Sequence, residues 1–370
     1  MDNLKATMPA QTVETINLPK RKIGSIVKNP VKTAEAVNLV YVRNTDPGIT
    51  RLKKGNSFYY TFQNKKVREK EVLQRIKNLV IPPAWEDVWI CMLANGHLQA
   101  TGVDIKKRKQ YRYHPLWNSL RNQTKFFRLN DFGKVLPAIR LQLEKDIALS
   151  GLPMEKVLAT VVSLMERTNI RVGNCFYEKL YGSFGLTTFK DKHVTINGHQ
   201  LRFSFKGKKG VSHDISIKSK HLANIVKKCR DIPGKELFQY INENGERKTI
   251  DSGMVNEYIK KISGGDFTAK DFRTWAGTVQ ALMAFKEMGL SETQTESKKR
   301  IVAALDTVSK LLGNTRTVCK KYYVHPVIIS LYENKSLEKY TGELDNIEKD
   351  DNKTDLTKEE KVLMKIFESN

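Results

Sequence analysis

The feature that most constrains the fold of this 370-residue chain is a change of hydrophobic period near Pro115. Before it, short runs such as LVYVR, SFYYTFQ, VWICMLA and HLQATGVD alternate apolar and polar side chains, separated by turn material at Asp46-Pro47-Gly48 and Asn95-Gly96. A period of two buries one face of a strand, so residues 36–115 read as a small β-rich domain with one helix near residues 70–77. After Pro115 the spacing becomes helical, most clearly at residues 135–148, 154–167 and 221–229. The expected class is α+β: a small β-rich amino-terminal domain, then a larger, mainly α-helical domain over residues 116–332.

The helical region is interrupted once. In VTINGHQLRFSF, Asn197-Gly198 between alternating apolar residues is a type I′ hairpin signal, and VSHDISI follows the turn KGKKG as a third strand. The expectation is a three-stranded antiparallel sheet with Lys208 at a hairpin tip. Further on, Asp251 or Ser252 caps a helix that stops at Gly264-Gly265, and Thr268 with Asp271 opens one ending at Gly289. Arg273 falls in the first turns of that helix. Another helix runs over residues 291–312 to Gly313, and a short one after Thr315 leads to Tyr323 ahead of His325-Pro326.

Charge selects the partner. The chain carries 64 Lys and Arg against 40 Asp and Glu, a net of +24, which concentrates a polyanion and speeds its encounter. Double-stranded DNA is the expected partner; the ordinary alternative is an inert lysine-rich surface. Residues 1–35, polar and basic with Lys20-Arg21-Lys22, read as a flexible arm. Residues 333–370 hold 11 acidic and 7 lysine side chains, a net of −4 against +28 elsewhere, and read as an acidic tail outside the DNA-binding face.

Other classes find no support. The four cysteines form no C-x-x-C pair and the seven histidines no helical H-x-x-x-H pair, so neither a metal nor a cofactor is expected. No run approaches the roughly 18 apolar residues of a membrane span, and the start lacks a signal-peptide centre, so the expected address is cytoplasmic, on the nucleoid, with no membrane partner.

Cutting DNA without a metal needs fixed donors for the charge that grows on a five-coordinate phosphate, and arginine forks suit that best. It also needs a proton for the departing 5′ oxygen. Resealing without ATP needs a covalent nucleophile on the protein, and tyrosine can serve. The segments TNIRVGN around Arg171, FKGKKGVSH around Lys208, KDFRTW around Arg273, and LGNT followed by KKYYVHP resemble the poxvirus and bacterial type IB DNA topoisomerases. The similarity spans residues 39–332, and the order 171, 208, 273, 314, 323 follows that family's Arg, Lys, Arg, His-or-Asn, Tyr.

The resemblance implies specific roles. Arg171, Arg273 and Asn314 would hold the phosphate, Lys208 would be the general acid, and Tyr323 the nucleophile; taken singly, these residues read as a helix-end dipole contact, two surface charges, a helix cap and a core aromatic. Tyr323 rather than Tyr322 is chosen because it stands nine residues after Asn314 and directly before VHP, and the two rings would point about 100° apart on a helix. RKQYRYH, residues 108–114, interleaves basic, amide and aromatic side chains suited to phosphate and base-edge contact; the ordinary reading is a solvated loop. The resemblance makes it a major-groove segment, with Arg108, Lys109, Gln110, Tyr111 and Tyr113 as DNA contacts and Tyr177 nearer the cleavage site. The implied enzyme is a monomeric clamp that relaxes supercoils through a 3′-phosphotyrosyl intermediate. A tyrosine recombinase is the alternative, disfavoured because Lys270 stands where recombinases usually carry histidine and because residues 39–113 read as strands.

Overall fold

A computed structural model describes residues 29–55, 57–105, 109–345 and 354–370. The chain divides into two compact units, Met1–Phe127 and Arg128–Asn370.

The first unit holds a six-stranded antiparallel sheet in the order β3-β2-β1-β4-β5-β6. Its strands are β1 Gly48–Lys54, β2 Ser57–Phe62, β3 Lys65–Lys66, β4 Glu86–Cys91, β5 Leu98–Val103 and β6 Lys109–Tyr113. Ile49, Val88, Ile90 and Ala100 form its buried face, covered by Ile76 of the helix Lys70–Asn78. Burying side chains of this size stabilises the fold by about 1.5–3 kcal/mol each. LVYVR does not become a strand: Val40 makes one isolated bridge to Gly96. The segment after Ile105, by contrast, becomes the edge strand β6 from Lys109 onward rather than a loop.

The amino-terminal arm ends earlier than the sequence suggests. Residues 1–28 lie outside the described residues, but Pro30–Glu35 is a helix capped by Asn29, whose side chain accepts the Val31 and Lys32 N–H groups. Ala34 is wholly buried, packed in one cluster with Leu39, Trp117 and Leu120, so these residues belong to the unit's core.

In the second unit the helix Met154–Thr168 has 11 of its 15 residues buried, the polar Lys156, Thr160, Ser163 and Thr168 among them, as befits a central core helix. Around it lie the helices Lys220–Arg230, Ser252–Ser263, Ala269–Met288 and Gln294–Leu312. The three-stranded sheet is present as β7 Val194–Asn197, β8 Gln200–Lys206 and β9 Ser212–Lys218, in that spatial order. β8 alternates strictly, sending Leu201, Phe203 and Phe205 inward, the two phenylalanines against the Phe189 ring. The β7–β8 turn sits one residue later than expected: Asn197 pairs with Gln200, leaving Gly198 and His199 as the central residues, with Gly198 at φ 56°.

The carboxyl-terminal stretch is not a solvated tail. Helices Pro326–Glu333 and Lys358–Ser369 pack into the same core, the latter through Val362, Leu363, Met364 and Ile366. Its Glu360 is 6% exposed and accepts from Trp275 Nε1 at 2.8 Å and from Arg140 at 2.8 and 2.9 Å. Burial alone would loosen the Arg140 proton, but Glu166 and Glu360 outweigh it and raise the pKa. The net negative count conceals an amphipathic helix whose acidic residues include a core hydrogen-bond acceptor. Among the described residues, no helix is long and apolar enough to cross a membrane.

Candidate active site

The site forms where two helices end. Met154–Thr168 stops at Asn169, whose φ of 56° is a left-handed cap that asparagine tolerates. Arg171 therefore lies in the extended segment just past the helix, not within it. Gln294–Leu312 stops at Gly313, φ 55°, and the reversed chain delivers Asn314. Both ends present carbonyl oxygens without an intrahelical donor, each carrying part of a helix's negative pole.

Two guanidinium groups use those carbonyls. Arg273 donates through Nη1 to Asn169 O and through Nη2 to Leu312 O at 2.7 Å. Arg171 Nη2 donates to Gly313 O at 3.0 Å and to Asn314 Oδ1 at 2.7 Å. Carbonyl dipoles fix the forks without cancelling their charge, and among the described residues neither arginine is paired with a carboxylate. Arg273 is 5% exposed, and burial pulls its pKa down, with Tyr323 opposing. Burial and then the nearby charge of Arg273 push Arg171 down to about 10, which leaves it cationic at neutral pH. Arg273 Nε and Asn314 Nδ2 are buried donors with no hydrogen-bond partner among the described residues. A buried donor left so costs about 1–3 kcal/mol. The recess is thus built to favour an anion with several acceptor oxygens.

Tyr323 closes one side. The helix Arg316–Tyr322, capped by Thr315, gives way at Tyr323, where φ is −131° and ψ −9°. The Tyr323 carbonyl accepts from Thr278 Oγ1 at 3.2 Å, and Thr278 Oγ1 in turn accepts the His325 N–H at 3.1 Å. Gly277 makes this approach possible: a Cβ there would stand 2.6 Å from the Tyr323 carbonyl oxygen. The outcome is a Tyr323 ring whose centroid is 5.5 Å from the Arg273 guanidinium carbon. Tyr322, by comparison, stands beside Lys321. Cys319, buried below, has its thiol pushed up to about 11 by burial, with Arg273 and Arg171 pulling the other way.

The remaining predicted residues are placed differently. Lys208 opens a short turn, Lys208–Gly210, with Lys209 at φ 64°, and its exposed ammonium lies 5.8 Å from the Tyr177 ring centroid. The structure gives it no contact with Arg171, Arg273, Asn314 or Tyr323. In the first unit, β6 stacks Tyr111 on Tyr113 at 5.9 Å and sets Lys109 near Tyr111; Gln110 donates to Asp104 at 2.9 Å. Arg108 lies outside the described residues. Sequence reasoning missed Gly277, Asn169 and His213, although Asn169 stands in the quoted TNIRVGN and His213 in FKGKKGVSH.

A helical core carrying a three-stranded sheet, with arginine forks on helix ends beside a tyrosine, is the arrangement expected of an enzyme that breaks and rejoins DNA strands. The chain belongs to the type IB DNA topoisomerase family. Residues 107–355 match the family described as eukaryotic DNA topoisomerase I, catalytic core, and residues 57–104 match the bacterial DNA topoisomerase IB amino-terminal domain. It is 33% identical to DNA topoisomerase 1B of Acanthamoeba polyphaga mimivirus over 295 residues, 78% of this chain and 88% of the relative. Against DNA topoisomerase I of Monkeypox virus and DNA topoisomerase 1B of Vaccinia virus (strain Copenhagen) the identity is 28% over 274 residues, 72% of this chain and 82% of each relative.

Proposed function

We propose that the chain relaxes supercoiled DNA with Tyr323 as nucleophile. The Tyr323 oxygen attacks the scissile phosphorus, the phenolic proton passes to solvent, and the bond from phosphorus to the 5′ oxygen breaks. Lys208 supplies the proton that the departing oxygen takes up. Arg171, Arg273 and Asn314 hold the nonbridging oxygens and stabilise the charge that builds in the transition state. The 3′ phosphate stays on the protein while the free 5′ end swivels, and the 5′ hydroxyl reverses the step. The bond exchange conserves energy, so neither ATP nor metal is required.

The observation that carries this reading is the shared recess: two guanidinium groups on carbonyl oxygens, the partnerless donors of Arg273 and Asn314, and the Tyr323 ring beside Arg273. Lys208 is brought to the phosphate as DNA binds, its turn being exposed. In the first unit, Lys109, Gln110, Tyr111 and Tyr113 of β6, together with Arg108 and with Tyr177 of the second unit, contact the duplex. The protein acts as a monomeric clamp on nucleoid DNA in the cytoplasm, and its affinity falls steeply between about 50 and 200 mM salt. Plasmid relaxation in EDTA without ATP tests the core of the proposal. Relaxation by the native chain and its loss in Tyr323→Phe are expected; unchanged relaxation by the variant would overturn it.

A further inference from the structure

Between the exposed Lys208 turn and the buried recess stands one side chain that the proposed chemistry does not use. His213, on β9, stacks face to face on Phe205, with ring centroids 5.0 Å apart and planes 19° apart. Its edges press on two glycines. A Cβ on Gly207 would stand 2.7 Å from His213 Cδ2, and one on Gly313 would stand 2.4 Å from His213 Cε1. Gly207 begins the Lys208 turn, which is closed by Gly207 N–H to Val211 O at 2.7 Å and Gly210 N–H to Gly207 O at 3.0 Å. Gly313 precedes Asn314 and gives its carbonyl to Arg171. Asn169, Arg171, Gly207 and His213 line one enclosed cavity. A single imidazole therefore touches the backbone on both sides of the gap that Lys208 must bridge.

We infer that His213 is a positioning residue: its ring is the spacer that sets the Lys208 turn at a fixed distance from the Arg171–Asn314 recess, so that the ammonium reaches the leaving oxygen. A neutral aromatic spacer fits this place. Burial, then Arg171 and Arg273, lower the His213 pKa, so the ring adds no charge to a recess already holding two cations. Shape rather than proton transfer is what the site takes from it. This inference rests on Lys208 acting as general acid.

The test uses the full-length protein and two suicide substrates with the same cleavage site, one with an ordinary 5′-oxygen leaving group and one with a bridging 5′-sulfur. A thiolate departs without a proton, so the second substrate bypasses the acid. Lys208→Ala should slow cleavage of the oxygen substrate by about 10²–10⁴-fold and cleave the sulfur substrate at near the native rate. If the sulfur substrate does not rescue Lys208→Ala, the general-acid reading fails, whatever His213 does. Given that rescue, His213→Ala should slow the oxygen substrate by about 10–100-fold, the cost of a displacement near 1 Å, and be largely restored by sulfur. His213→Phe, which keeps a flat ring, should retain most of the native rate on both. Equal losses on both substrates for His213→Ala, or native rates on both, would overturn the spacer role. Circular dichroism of His213→Phe guards against a folding defect; a folded His213→Phe as slow as His213→Ala on the oxygen substrate would also overturn it.

Discussion

Two parts of the catalytic unit solve opposite problems. The arginine recess is buried and bonded: each guanidinium is tied to backbone carbonyls at helix ends, and Tyr323 is held against the Arg273 helix through Gly277 and Thr278. The Lys208 turn is exposed, and the ammonium's contact is the Tyr177 ring at 5.8 Å. Groups that stabilise charge work best when their orientation is fixed before the substrate arrives, since nothing then has to reorganise during the reaction. A proton donor that must follow a departing oxygen benefits from reach instead. The molecule fixes the groups proposed to stabilise charge and leaves the proposed proton donor at a turn tip.

That contrast can be broken or sharpened by experiment. The largest effect belongs to Tyr323→Phe, which should abolish the covalent protein–DNA adduct on a gel while duplex binding persists. Arg273→Lys should reduce cleavage by about 10²–10³-fold, because an ammonium cannot span Asn169 O and Leu312 O while facing the phosphate. A near-native rate would show that the fork is dispensable.

Acid should loosen the recess side through His325. Its Nδ1 accepts the Val327 N–H at 3.1 Å, and burial holds its pKa down to about 4. The unfolded chain, near the ordinary 6.5, takes up the proton more readily, so stability is fully present above pH 6.5 and falls as pH drops toward 4. The loss is up to about 3 kcal/mol by linkage, readable by urea titration across that window, and His325→Asn should flatten the profile. Gly277→Ala should cost about 1–3 kcal/mol and slow cleavage of the oxygen and sulfur substrates alike, since it displaces Tyr323. The smallest effect is expected for Tyr177→Leu. Losing a cation–π contact worth about 0.5–1 kcal/mol changes cleavage by a factor of about 2–5; a larger loss with duplex affinity unchanged would mean that the turn is less independent than its exposure implies.

Much of this was legible in the sequence because it is written in local rules. The capping box at Thr268 and Asp271, the glycine stops at Gly264 and Gly313, and the alternation of β8 each depend on neighbours a few residues apart. Those signals set the helix ends and hence the surroundings of Arg273 and Asn314. What was illegible depends on distant partners. Nothing near Arg273 in the sequence announces that its fork rests on Asn169 and Leu312, so taken singly it reads as one more surface charge. Net charge likewise concealed the packing of residues 358–369, because one of the acids counted, Glu360, is bound inside the core by Trp275 and Arg140. His213 was passed over because histidine within a strand carries no signal until the glycines it touches are brought beside it in space.

The helix Lys358–Ser369 braces the recess from behind. Glu360 grips Trp275, two residues from Arg273, and the Phe367 ring lies 4.8 Å from His325, two residues from Tyr323. A polypeptide arrested before Lys358 carries every residue assigned to strand cleavage but lacks the brace behind two of them. Loosening the helix Lys358–Ser369 should therefore disturb the surroundings of Arg273 and Tyr323 together.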